Sequence, residues 1–167
     1  MRWLFSVVGL RCAIGIDRSE ESLQVARRDH ADLPVSFATA ADFRAVGNID
    51  LAFCNGVFHH IPVVERAQAV RFVFESLRPG GLFAFWENNA WNPATRYVMS
   101  RVPFDKDAIL LFPRDAGRLL RGGGFELLCT DYLFVFPAAL SFLRPMERWM
   151  CKLPTGGQYM LLARKPA

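Results

Sequence analysis

The sequence has no cysteine pair at CxxC spacing, no dense run of Lys or Arg, and no apolar stretch of the roughly 18 residues a membrane span needs. Each absence closes a class of function. The four cysteines, Cys12, Cys54, Cys129 and Cys151, lie far apart, and no histidine stands near them at metal-ligand spacing. Cys12, Cys54 and Cys129 sit in apolar, strand-like surroundings, where a free thiol behaves as a small hydrophobe. Reduced thiols and a cytoplasmic protein are expected. Basic residues are spread thinly, and a net charge of +4 does not indicate nucleic acid. Repeats and low-complexity segments are absent as well. The opening MRWLFSVVGL is faintly like a secretory leader, but its apolar stretch is short and runs straight into IGIDRSEES.

What is present suits one compact domain. A chain of 167 residues can bury a sizeable core, and 52% hydrophobic against 22% charged residues argues against disorder. Residues 11–16 read as a buried strand ending at Asp17. Ser19 then caps a helix over 19–29, with Glu20 and Glu21 in its first turn and Arg27 and Arg28 in its last, complementing the helix dipole. Val35 to Ala38 reads as a short strand, with Asp42 in the loop after it. Ile49 to Cys54 reads as another buried strand, opening onto NGVFHHIP. Pro62 starts a helix whose apolar face is Val63, Ala67, Val70, Phe74 and Leu77, stopped by Pro79 and Gly80-Gly81. LFAFWE is a fourth strand, ending in Glu87.

The second half reads differently. Residues 88–112 form a long, irregular insertion of the kind that lines a binding site. Pro113 to Arg121 is a short helix closed by three glycines. FELLCTDYLFVF and GQYMLLARK read as an antiparallel strand pair, joined through an apolar helical segment, PAALSFLRPMERWMCKLP. Phe142, Trp149 and Met150 accompany Arg144, Arg148 and Lys152 there, as in an interfacial helix. Membrane contact is one reading of that segment; a cover over the substrate side of the sheet is the favoured one.

Alternating strands and helices imply an α/β fold with a mostly parallel sheet. In such sheets ligands bind beyond the carboxyl ends of the strands, where Asp17, Asn55 and Glu87 all fall. His59-His60 adds a group with a pKa near neutrality, so His60 is a candidate general base. Metal binding is not expected, because adjacent histidines rarely point the same way and the sequence shows no partner cluster. Glu87, with Asn88, Asn89 and Asn92, either orients a hydroxyl or amine acceptor or satisfies its own loop.

The pieces AIGIDRSEESLQVARR, AADF, IDLAFCNGVFHHIP, LRPGGLFAFWENN and GGGFELL…YMLLARK, in this order, resemble the class I S-adenosylmethionine-dependent methyltransferases of the small-molecule type. The resemblance covers nearly all of the chain. It implies a Rossmann-like, doubly wound three-layer sandwich and methyl transfer from S-adenosylmethionine to a small acceptor, such as a sugar or lipid-linked intermediate. Asp17 then matches the acid on the ribose hydroxyls, and Arg18 the side chain flanking the adenine. Asp42, shared with Ala41 and Phe43, matches the acid at the adenine amine. Asn55 and Gly56 match the loop beside the methionine portion, and His60 and Glu87 stand as catalytic candidates. A nicotinamide-dependent oxidoreductase and a non-catalytic interaction domain are the rival readings.

The family's first strand and its Gly-rich turn, roughly D-x-G-x-G-x-G, have no counterpart before GIDRSEES. Residues 2–8 read as the tail of the family's first helix. On this reading the chain lacks the first strand and binds cofactor poorly as it stands; either the strands close the gap, or an exposed sheet centre invites self-association.

Overall fold

The computed structural model describes residue 5, residues 9–105 and residues 108–167. The helix tail read at 2–8 falls, but for Phe5, outside the described residues. The chain divides into two compact units, Met1–Arg44 and Ala45–Ala167.

In the first unit, β1 (Ala13–Asp17), α1 (Glu20–Asp29) and β2 (Val35–Thr39) make one strand-helix-strand turn. The strands are parallel, in register from Ala13 opposite Val35 to Asp17 opposite Thr39. Ser19 caps α1 as expected, its hydroxyl accepting the Ser22 N–H at 3.2 Å. Arg27 reaches back across two turns to Glu20 at 2.5 Å and donates to the Phe37 carbonyl, tying α1 to β2. The absence of a side chain at Gly15 makes room for Phe37, whose ring would lie 2.6 Å from any added Cβ.

The second unit carries β3 (Ile49–Asn55), α2 (Arg66–Ser76), β4 (Leu77–Asn88), α3 (Pro93–Met99), α4 (Pro113–Gly122), β5 (Glu126–Leu133), α5 (Glu147–Met150) and β6 (Gln158–Arg164). Its sheet runs β3-β4-β6-β5. β3 and β4 are parallel; β6 is antiparallel to both β4 and β5. The expected antiparallel pair is therefore present, with β6 inside the sheet. Val70 of α2 and Leu120 of α4 pack with Leu77, Phe83, Phe85, Phe125, Tyr159 and Leu161, all nearly inaccessible. The parallel β3-β4 pair, flanking helices and antiparallel C-terminal strands are those of a Rossmann-like α/β fold.

Three expectations need correction. The strands form two separately hydrogen-bonded sheets rather than one. β1 and β3 were expected to be buried on both faces, yet Ile14 is 41% and Phe53 62% exposed. Each stands at the edge of its sheet, with no strand hydrogen-bonded on its other side among the described residues, so its side chains lack neighbours there. Finally, the helix before Pro79 ends at Ser76, and β4 begins at Leu77. Pro79-Gly80-Gly81 forms an irregularity inside the strand, where the register slips between Ile49 and Leu51. The Gly80 N–H and the Gly81 carbonyl both bond Lys165 backbone groups at 2.9 Å.

The stretch after β4 is more ordered than an irregular insertion. Asn92 caps α3, accepting the Ala94 and Thr95 N–H groups, and Pro93 takes the first helical position. Residues 138–146 form 3-10 turns kinked at Leu140, with Phe142 and Trp149 largely exposed. That segment buries none of its own residues, which does not support its reading as a cover. None of the described helices is long and apolar enough to cross a membrane.

Candidate functional site

Asp17 ends β1 with an exposed side chain, and its Oδ1 accepts the Ser19 N–H at 2.8 Å. That bond fixes the carboxylate at the start of α1. The backbone beside it is closed by the Ala40 N–H on the Asp17 carbonyl. Asp42 lies at the same end of the small sheet, since Thr39, the register partner of Asp17, donates its hydroxyl to Asp42 Oδ2 at 2.6 Å. Ala41 beside it is exposed and Phe43 half-buried, and Arg18 is exposed in the turn after β1. The first unit thus presents two carboxylates at the carboxyl ends of adjacent parallel strands.

In the second unit Asn55 is the exposed last residue of β3, opposite Trp86 of β4. Gly56 turns the chain with φ +65°, a backbone conformation costly for other residues, and its N–H donates to the Trp86 carbonyl. The turn leads into a short 3-10 stretch, Phe58–His60. There Glu87 is placed differently from the substrate-facing position expected of it. It is completely buried, its Oε1 accepting the Phe58 N–H at 2.7 Å and its Oε2 the His59 Nδ1–H at 2.6 Å. The carboxylate locks the turn from beneath. Burial alone would push the His59 imidazole down in pKa, but the hydrogen bond and charge of Glu87, joined by Asp105, hold it above its ordinary value.

The asparagines have structural duties. Asn89, fully buried, donates to the carbonyls of Pro154 and Gly156 and accepts the Trp91 N–H. Asn92 donates to the Thr155 carbonyl besides capping α3. Asn88 accepts from Gln158 Nε2 across the β4-β6 pair. Of the two readings weighed for this polar group, self-satisfaction of the loop describes what these three do.

His60 remains at the surface, part-exposed, with Nε2 3.4 Å from Asp105 Oδ1. His59 Nε2 lies 3.6 Å from the same oxygen. The adjacent rings therefore converge, contrary to the sequence expectation. They do so because a carboxylate 45 positions further along the chain stands against both; no local pattern announces it. Arg66 was missed altogether. Buried on α2, it donates to the carbonyls of Ile61 and Ile109, while the Ile109 N–H donates to the His59 carbonyl at 2.9 Å. The turn bearing both histidines is thereby stapled to the stretch after Asp105. A charged residue at the first turn of α2 was the visible signal, although nothing in the sequence gives its partners.

The family profile of the methyltransferase domain matches residues 2–85, half of the chain. The chain belongs to that family. A search of curated proteins finds no match. Among solved structures, an S-adenosylmethionine-dependent methyltransferase from Mesorhizobium loti shares 20% identity over 92% of this chain and 80% of its own, with a TM-score of 0.65. A chain of a complex between the Haloferax volcanii methyltransferase activator and a methyltransferase shares 18% over 99% and 77%, with a TM-score of 0.73. An S-adenosylmethionine-dependent methyltransferase of Thermotoga maritima, described as a possible histamine N-methyltransferase, shares 18% over 95% and 75%, with a TM-score of 0.66. The methyltransferase domain thus has the fold of those enzymes, with S-adenosylmethionine as the family's cosubstrate.

Proposed function

We propose that this methyltransferase domain moves a methyl group from S-adenosylmethionine to a small acceptor bearing a hydroxyl or amine, such as a sugar or lipid-linked intermediate. The observation that carries the reading is Asp17: an exposed carboxylate at a strand end, held by one backbone N–H and otherwise turned to solvent. An ionised carboxylate can accept from two adjacent hydroxyls, and such charge-assisted bonds are strong. Asp42 offers an acceptor suited to an exocyclic amine, with Ala41 and Phe43 beside it and Arg18 to flank a base. Asn55 and Gly56 are the residues that the family resemblance assigns to the methionine portion. These residue types fit the cosubstrate's groups.

S-adenosylmethionine supplies an electrophilic methyl on a sulfonium, so the protein's task is chiefly alignment of the attacking atom. His60 is the proton acceptor in this proposal. Glu87 acts through His59 as a positioning residue, fixing the turn on which His60 sits.

The test is calorimetric titration of S-adenosylmethionine and, separately, NAD into the chain and its Asp17→Ala variant. Binding of S-adenosylmethionine that weakens by about 1.5–3 kcal/mol in the variant, the scale of hydrogen bonds to a charged group, supports the reading. Unchanged affinity would make Asp17 a helix-start residue only, and preference for NAD would favour an oxidoreductase. Transfer of labelled methyl to sugar and lipid-linked acceptors then distinguishes the acceptor classes.

A further inference from the structure

We propose that His59, His60 and Asp105 form a binding site for a divalent transition-metal ion of the Zn²⁺ type. Among the described residues these three are the group of potential ligands whose donor atoms all lie within 4.8 Å of one another.

Three features of the cluster carry the assignment. The first is spacing. His60 Nε2 and His59 Nε2 stand 3.4 and 3.6 Å from Asp105 Oδ1, too far for good hydrogen bonds. Two donors each about 2.1 Å from one ion at a tetrahedral angle are separated by roughly 3.4 Å, so both distances match shared coordination.

The second is orientation. His59 gives its Nδ1–H to the buried Glu87 at 2.6 Å, so when an ion displaces the second proton the lone pair lies on Nε2, the nitrogen nearer Asp105. A carboxylate behind a ligating imidazole is the usual way a protein fixes the tautomer and the ring plane of a metal ligand. Glu87 itself is held by the Phe58 N–H, so this support is rigid.

The third is that the ligands come from two separate stretches already joined. The Ile109 N–H bonds the His59 carbonyl, and Arg66 bridges the carbonyls of Ile61 and Ile109. The two stretches that carry the ligands are therefore already held together by the fold. Two imidazoles and one carboxylate form a donor set suited to Zn²⁺, with a fourth position left to water. An ion on His60 Nε2 would occupy the lone pair that accepts the proton in the proposed methyl transfer, so the two roles exclude each other, and the ion's binding is measured with no methyl donor present.

The experiment titrates Zn²⁺ into the metal-free chain by calorimetry. One ion per chain is expected. His60→Ala and Asp105→Asn should each weaken binding at least tenfold, while His30→Ala, outside the cluster, leaves it unchanged. No saturable binding, or equal affinity in the His60 and Asp105 variants, overturns the proposal. Should those variants fail to fold, Co²⁺ in the unaltered chain decides. Intense visible bands of a four-coordinate ion without a sulfur-to-cobalt band are expected; a thiolate band or only the weak bands of a six-coordinate ion overturns the assignment.

Discussion

Cys54 shows how far one side chain's chemistry is set by its neighbours. Burial, and then the nearby charge of Glu87, push its thiol up to about 12. The thiolate is the reactive form, so at pH 8 about one molecule in ten thousand presents it. Mass mapping after brief iodoacetamide treatment of the native protein should find the exposed Cys12 modified and Cys54 untouched until denaturant is added; early labelling of Cys54 would show the β3 end open. The sequence reading had Cys54 as an apolar strand residue, and that much was legible because its neighbours Ala52 and Phe53 are apolar. The site was legible only where it is local. Asp17, Asn55 and Gly56 could be placed by their position at strand ends. Asp105 and Arg66 could not, because their partners lie up to 46 positions away and are fixed by packing of the whole second unit.

Among elements, β4 is where the sequence misleads and the packing explains why. Pro79-Gly80-Gly81 has the composition of a helix stop and a turn, yet it lies inside a twelve-residue strand. Lys165 is the reason: its backbone bonds both glycines, and its ammonium caps the carbonyls of Phe74 and Leu77 at 2.8 and 2.7 Å. A Cβ at Gly81 would sit 2.8 Å from the Arg78 carbonyl oxygen and 3.0 Å from that of Ile49. Both are backbone atoms that cannot step aside. Gly81→Ala should therefore destabilise the protein by about 1–3 kcal/mol, the cost of overpacking, in urea denaturation. An unchanged midpoint would mean β3 and β4 separate at that end without penalty. By contrast α1 and α4 were readable almost to the residue, since Ser19 and Pro113 start them and their stops are local. The edge positions of β1 and β3 were readable only through the missing first strand, because an apolar run by itself looks the same whether or not a neighbouring strand covers it.

At the scale of the molecule, apolar burial is very unequal between the two units. Leu23 is the one hydrophobic residue below a tenth exposed in Met1–Arg44 among those described, whereas Ala45–Ala167 holds the whole of the principal cluster. A unit of that size with so little core has small independent stability. Hydrogen exchange followed residue by residue should find the β1 amides, such as Ile14 and Ile16, exchanging through a low-energy opening. Amides of Phe83, Phe85 and Leu161 should exchange only with global unfolding. Equal protection in both would show the units unfolding as one. In the second unit the stretch after β4 is held at both ends. Asn89 and Asn92 clamp one end of the stretch after β4 to residues 154–157, and the Ile109–His59 bond clamps the stretch again before α4. Between these anchors the chain can be lengthened at a loop-closure cost that grows only logarithmically, about 0.6 kcal/mol per doubling, as long as the buried Met99 and the placement of Asp105 against both histidines are kept. Insertions that spare those two residues therefore leave β4, β6 and their core as they are.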